Sequence, residues 1–165
     1  MSIRKEPLNQ EEEDKVLNAC ISEEEAHTMR ILLDTGIHVS KFCELTEANI
    51  KGNYLEWYRC KNKRLIRIPI SQRIAPFIQS YLSNPNRPKW RQYYNKMLKQ
   101  IGQRAGIPSL SPMSLRHTFG VKMVDKGFSL SDLQKVMGVR NVQVLMTYIQ
   151  RKDKDLEEKF KKIGW

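Results

Sequence analysis

Two neighbouring segments carry the clear strand signal of this chain, and they constrain its fold more than any other feature. Tyr54-Leu55-Glu56-Trp57-Tyr58-Arg59 is rich in aromatic residues, and Leu65-Ile66-Arg67-Ile68-Pro69-Ile70 alternates apolar and basic residues at its centre. The polar stretch Cys60-Lys61-Asn62-Lys63-Arg64 joins them, which predicts an antiparallel hairpin with a basic tip. Proline has no backbone N–H to give to a ladder, so Pro69 makes the second strand an edge strand or ends it.

The rest of the chain has helical punctuation and spacing. Asn9 with Glu12, and Ser22 with Glu25, have the spacing of capping boxes. They predict a helix over 10–20 and a second that ends at Gly36. A short helix follows at Val39–Leu45. Beyond the hairpin, helices are expected over 72–83, 89–105, 114–126, 131–137 and 141–149. Asn84-Pro85-Asn86-Arg87-Pro88 and Gly106-Ile107-Pro108 act as breakers. In the tail, 151–163, Leu156, Phe160 and Ile163 form one apolar stripe on a charged helix. The predicted fold class is mainly α with one small antiparallel β-sheet (α+β).

Charge is distributed unevenly along the 165 residues. Residues 1–50 carry a net of −6, whereas residues 51–122 carry 15 Lys/Arg against one acid, Glu56, a net of +14. A block this basic repels itself unless an anion lies across it, and nucleic acid is the obvious partner. No apolar run approaches the roughly 20 residues that span a bilayer, so no membrane partner is expected. Met1 to Asp14 is polar and acidic, unlike a signal peptide. Cys20, Cys43 and Cys60 are far apart and odd in number, which argues against a disulfide framework or a zinc site and favours a reducing cytoplasm.

Three segments, in order, are similar to the signature boxes of the tyrosine recombinase (phage integrase) family. Leu32-Leu33-Asp34-Thr35-Gly36-Ile37-His38-Val39-Ser40-Lys41-Phe42-Cys43-Glu44-Leu45 resembles the first, L-L-x-T-G-x-R-x-S-E-L. Ser114-Leu115-Arg116-His117-Thr118-Phe119 resembles the second, H-x-L-R-H-T-F. Met137-Gly138-Val139-Arg140, with Tyr148 nine residues after Val139, resembles the third, L-G-H followed by a nucleophilic tyrosine. The hairpin lies between the first two boxes, as in the family. The resemblance therefore covers nearly the whole chain and implies a recombinase catalytic domain, a DNA breaking-rejoining fold.

The resemblance also implies a chemistry. A tyrosine hydroxyl attacks a DNA phosphodiester and forms a 3′-phosphotyrosine, so the strand can be rejoined without ATP, metal or other cofactor. Two arginines suit the charged transition state because each offers a planar, permanently charged fork. A hairpin lysine can protonate the leaving 5′ oxygen. By this resemblance Tyr148 is the nucleophile and Arg116 a phosphate clamp. Lys61 is the hairpin lysine if the hairpin is aligned on Ile68-Pro69, with Lys63 the alternative. Lys63, Arg64, Arg67, His117 and Arg140 join Lys61 and Arg116 as expected DNA contacts.

Three positions depart from the pattern. His38 stands where the first box has arginine, Met113 where the second has histidine, and Val139 where the third has histidine or tryptophan. Histidine lacks the bidentate fork and is mostly neutral at pH 7. The expectation is therefore an integrase catalytic domain of weakened activity, or alternatively an inactive relative that binds DNA or pairs with an active recombinase. A plain helix-turn-helix regulator built on Ser129–Tyr148 ranks below both, since it leaves the basic hairpin and the Arg116 box unexplained. Duplex DNA is the expected partner, with no small-molecule substrate. Residues 1–150 are expected to form the catalytic domain, either a fragment of a longer recombinase or a compact relative. The tail, 151–165, docks in trans on a neighbouring protomer or folds back on its own.

Overall fold

The computed structural model of the chain describes residues 6–59, 63–138, 146 and 156–164. Helices α1 (Gln10–Asn18), α2 (Glu23–Thr35) and α3 (Val39–Glu44) lead through a 3₁₀ turn (Glu47–Asn49) into strands β1 (Ile50–Lys51), β2 (Tyr54–Tyr58) and β3 (Leu65–Pro69). Helices α4 (Ile78–Ser83), α5 (Arg91–Arg104), α6 (Pro112–Asp125), α7 (Leu130–Met137) and α8 (Leu156–Lys162) follow. The predicted class is thus observed. The helix expected over 141–149 and the start of the tail helix lie outside the described residues.

The hairpin forms as its alternation demands. β2 and β3 pair antiparallel with Leu55 opposite Ile68 and Trp57 opposite Ile66, and these four side chains are buried. Tyr54, Glu56 and Tyr58 face outward with Leu65, Arg67 and Pro69. Sheet order is β1-β2-β3, so β3 is an edge strand and Pro69 sits at its end, where a missing donor costs little. The two-residue β1 was too short to leave a signal in the sequence.

Helix boundaries moved where prolines and caps act. The helix expected over 72–83 begins only at Ile78, because Pro76 disfavours helical geometry at Ala75 and 72–77 form turns instead. α6 starts at Pro112 rather than 114. Ser111 caps it reciprocally with Ser114, and Pro112 occupies the first turn, where no amide is needed. Asn9 and Glu12 form the expected capping box. Ser22 does cap α2, but the Glu25 carboxylate turns to the Ile21 amide and to Arg104.

The core is centred on α2 and α6. Met29, Ile31, Leu32 and Leu33 of α2 lie in one buried cluster with Leu115 and Phe119 of α6 and Leu98 and Ile101 of α5. Each such side chain contributes roughly 1.5–3 kcal/mol through removal from water. A polar network flanks this core. Glu13, 2 % exposed, accepts from Lys122 Nζ at 2.9 Å and from Arg73, which also pairs with Asp34. It joins α1, α2, α6 and the turns before α4. Arg87 is buried as well, donating to the Phe42 and Leu45 carbonyls and lying over the Phe42 and Tyr81 rings.

Gly36 is where this packing is least forgiving. It ends α2 in the left-handed region, φ 59°, and a Cβ there would overlap the Phe119 ring. Gly106 has φ 74° but open space where a Cβ would sit. Both alanine variants lose the glycine's backbone freedom, at about 1–2 kcal/mol, and only Gly36→Ala adds an overpacking cost of about 1–3 kcal/mol. In urea denaturation Gly36→Ala should therefore be the more destabilised by at least 1 kcal/mol. Equal losses would show that Phe119 yields freely.

Candidate active site

Arg116 lies in the second turn of α6, placed by the Ser111 cap. Its guanidinium donates to the Gly36 carbonyl at the end of α2 and, at 2.7 Å, to the Met137 carbonyl at the end of α7. Burial and, secondarily, the nearby Arg59 push its pKa down to about 10. It stays cationic at neutral pH, yet its charge is only partly compensated by two carbonyl dipoles. An anion here would restore what desolvation removed.

His38 opens α3 from the N-cap position. Its Nδ1 lies 3.3 Å from the Ser40 amide, which donates to it, and 2.8 Å from Ser40 Oγ. That cap needs an unprotonated Nδ1, so it favours the neutral ring. Partial burial of the imidazole, then Arg116 and Arg91, hold its pKa below the ordinary histidine value. At neutral pH His38 is a neutral polar group at the cleft mouth rather than a second cation.

His38, Met113 and Arg116 line one cleft of about 690 Å³, together with Arg91, Asn95 and Lys99 of α5. The first and second boxes are therefore brought together, and among the described residues no carboxylate lines the cleft. His117 is buried on α6 and does not line it. At the hairpin, Lys63 takes the left-handed conformation, φ 47°, and the Arg59 amide donates to the Arg64 carbonyl at 2.9 Å. Lys63 and Arg64 are exposed. Arg67 stands on the outer face, paired with Glu56 at 3.1 Å and stacked 3.8 Å over the Tyr54 ring. Lys61, Val139, Arg140 and Tyr148 lie outside the described residues. Among the described residues no three His, Cys, Asp or Glu side chains are grouped to hold a metal, and no helix is long and apolar enough to cross a membrane.

Two arginines gain importance from the structure. Arg59, half-buried at the end of β2, lies against Gly138 and acts on Arg116. Arg91, in the first turn of α5, lines the cleft together with His38. Arg91, Asn95 and Lys99 recur every four residues, a spacing that puts them on one helix face and could have revealed the stripe. Of the aromatics on that helical stretch, Tyr94 is core, Tyr93 is half-buried and bonded to Glu24, and Trp90 is exposed.

Comparison with known proteins agrees with this arrangement. Residues 6–155 match the Phage integrase family, and the chain belongs to that family. It is 26 % identical over 156 residues to the tyrosine recombinase XerA of Saccharolobus solfataricus, covering 90 % of this chain and 53 % of the relative. It is 30 % identical over 142 residues to XerD of Halalkalibacterium halodurans, covering 73 % and 47 %. The chain thus spans about half the length of these curated relatives. The fold superposes on a crystal structure of XerA recombinase with a TM-score of 0.75 at 20 % identity, covering 95 % of this chain and 65 % of that one. The catalytic domain of bacteriophage HP1 integrase gives 0.69 at 20 % identity, covering 88 % and 87 %.

The electrostatics of His38 can be read directly. A lowered folded-state pKa means the ring stays neutral until the pH falls below the ordinary value near 6.5. The three histidines are few enough to follow by NMR. The His38 midpoint should lie below 6.5, rise in Arg91→Ala, which removes a cation, and rise again on adding duplex DNA, which brings anions. A midpoint above 6.5 in the free protein would mean that the ring does not sit among these cations.

Proposed function

We propose that this chain is the strand-cleaving domain of a DNA recombinase. It binds duplex DNA, and Tyr148 attacks a backbone phosphate held by Arg116 to give a 3′-phosphotyrosine. The observation that carries this reading is the cleft shared by first-box His38 and second-box Met113 and Arg116, which no described carboxylate lines. The integrase of transposon Tn1549 and XerH recombinase, to whose DNA complexes the fold is similar, support the choice of partner. Lys61, or Lys63 two residues on, protonates the leaving 5′ oxygen. Lys63, Arg64 and Arg140 contact the backbone. Arg67, already paired with Glu56, contributes less, and buried His117 orients α6 rather than touching DNA. Residues 1–150 form the catalytic unit, and the tail carries an apolar stripe whose Phe160 and Ile163 are exposed, as a helix docking on a neighbouring protomer would be.

Chemistry in this unit is slow. His38 lacks the fork of an arginine and is held neutral, and Met113 and Val139 cannot move protons. Loss of one preorganised donor typically lowers a rate by about 10²–10³, and such losses do not simply multiply. The same departures favour a second reading, an inactive relative that occupies DNA without cutting it.

Covalent capture separates the two. On a nicked duplex with a randomised centre, a slow protein–DNA adduct should accumulate over hours and be absent in Tyr148→Phe, with binding unchanged. An adduct that survives Tyr148→Phe refutes the nucleophile assignment, and no adduct at all establishes the binding-only reading. Binding should weaken with salt along a log–log slope of about −0.9 per phosphate contacted. Replacing Lys61, Lys63 and Arg64 together should flatten that slope by about 2 to 3 units if each meets a phosphate. An unaltered slope would exclude the hairpin tip from the DNA interface.

A further inference from the structure

Among the described residues the cleft holds more positive charge than its lining balances. Arg91, Lys99 and Arg116 line it, Asn95 and two serines, Ser109 and Ser111, add neutral hydrogen-bonding groups, and no described carboxylate does. Several cations elsewhere in the basic block are matched internally. Arg73 and Lys122 meet Glu13, Arg104 meets Glu25 and Arg67 meets Glu56. Arg91 enters no ion pair or hydrogen bond among the described residues and is exposed to the cleft. Its position at the first turn of α5 puts it close enough to His38 to act on that ring, as Arg116 does from α6. The imidazole thus lines the cleft with two guanidinium groups, each of which opposes its protonation.

We propose that Arg91 is a second phosphate-binding guanidinium of this site, holding the same phosphodiester as Arg116 and supplying the charge that His38 does not. A phosphodiester offers two non-bridging oxygens, and two planar forks approaching from different helices can each take one. His38, neutral and fixed by the α3 cap, leaves room for the Arg91 side chain. The inference rests on the cleft being the phosphate site of the proposed cleavage reaction, but not on Tyr148 or on any turnover. Asn95 and Lys99, one and two turns further on, lie about 6 and 12 Å along the same helix face, so they meet neighbouring phosphates of the strand.

The test is a double-mutant cycle on the full chain, with inorganic phosphate as the probe and His38 ring shifts as the readout. Arg91→Ala should weaken phosphate binding roughly tenfold, the scale of one charge-assisted contact. Arg91→Lys, which keeps the charge but not the fork, should recover only part of it. Adding His38→Arg to Arg91→Ala should restore affinity to within about threefold of the unaltered chain, read from protein amide shifts since the ring is then gone. His38→Arg alone should gain far less than it gains in the Arg91→Ala background. His38→Asn keeps a capping acceptor without charge and should restore nothing. Undiminished binding by Arg91→Ala overturns the proposal, as does the absence of phosphate binding in the unaltered chain. Weakened binding that His38→Arg fails to restore also overturns it, because Arg91 would then hold a different phosphate from Arg116. The covalent-capture result bears on Tyr148 and leaves this cycle independent, so the two claims fail separately.

Discussion

The guanidinium of Arg116 joins three segments that are distant in the chain, and the site depends on that junction. By donating to the carbonyls of Gly36 and Met137 it fixes the end of α2 and the end of α7 against α6. Both carbonyls belong to helix ends, where the last C=O groups have no intrahelical partner and carry partial negative charge. The arginine therefore satisfies two such ends while remaining a cation. The same contact to Gly36 helps place His38, two residues further on, in the lining of the cleft. Gly36 closes this arrangement, since only a residue without Cβ lets Phe119 of the same helix as Arg116 pack against the turn.

This geometry shows why a basic sequence block is a poor map of a DNA-binding face. Residues 51–122 carry a net of +14, but Arg87 is buried among aromatic rings and carbonyls, and Arg73, Arg104 and Lys122 join carboxylates of α1 and α2. The acidic first third and the basic middle third meet at these contacts. Their opposition is partly structural, since the Glu13 carboxylate is nearly fully buried and must find cations. The charges left for an external anion are fewer and more localised, at the hairpin tip and along the cleft.

Much of the fold was legible because it rests on local rules. Alternation set the inward and outward faces of the hairpin, Pro69 marked the edge strand, and the Asn9, Ser22 and Gly36 signals bounded the first two helices. The errors arose where a local rule was outweighed or overlooked. Pro76 broke a helix that the apolar spacing alone would have carried back to residue 72, and the Ser111-Pro112 start of α6 was passed over in favour of Ser114. At the site, the box sequences pointed to His38 and Arg116, and the Ser111 cap and the end of α2 bring both, with Met113, to one cleft. Arg59 and Arg91 were not placed at the site, since neither lies in a box. Their proximity to Arg116 and His38 is a product of tertiary packing between elements separated by more than twenty residues.

The altered first box then acquires a physical interpretation. A histidine at position 38 caps α3 through Nδ1, a bond that an arginine, having no acceptor, cannot make. The substitution therefore trades a permanent charge for a better-held helix start at the cleft rim. That exchange is tolerable for phosphate binding only if another cation reaches the same space, and Arg91 is an exposed guanidinium there with no ion pair among the described residues. Without an anion, Arg116 and Arg91 both oppose protonation of His38, and an anion in the cleft offsets that opposition. Anion binding and the protonation of His38 should therefore be coupled, each favouring the other.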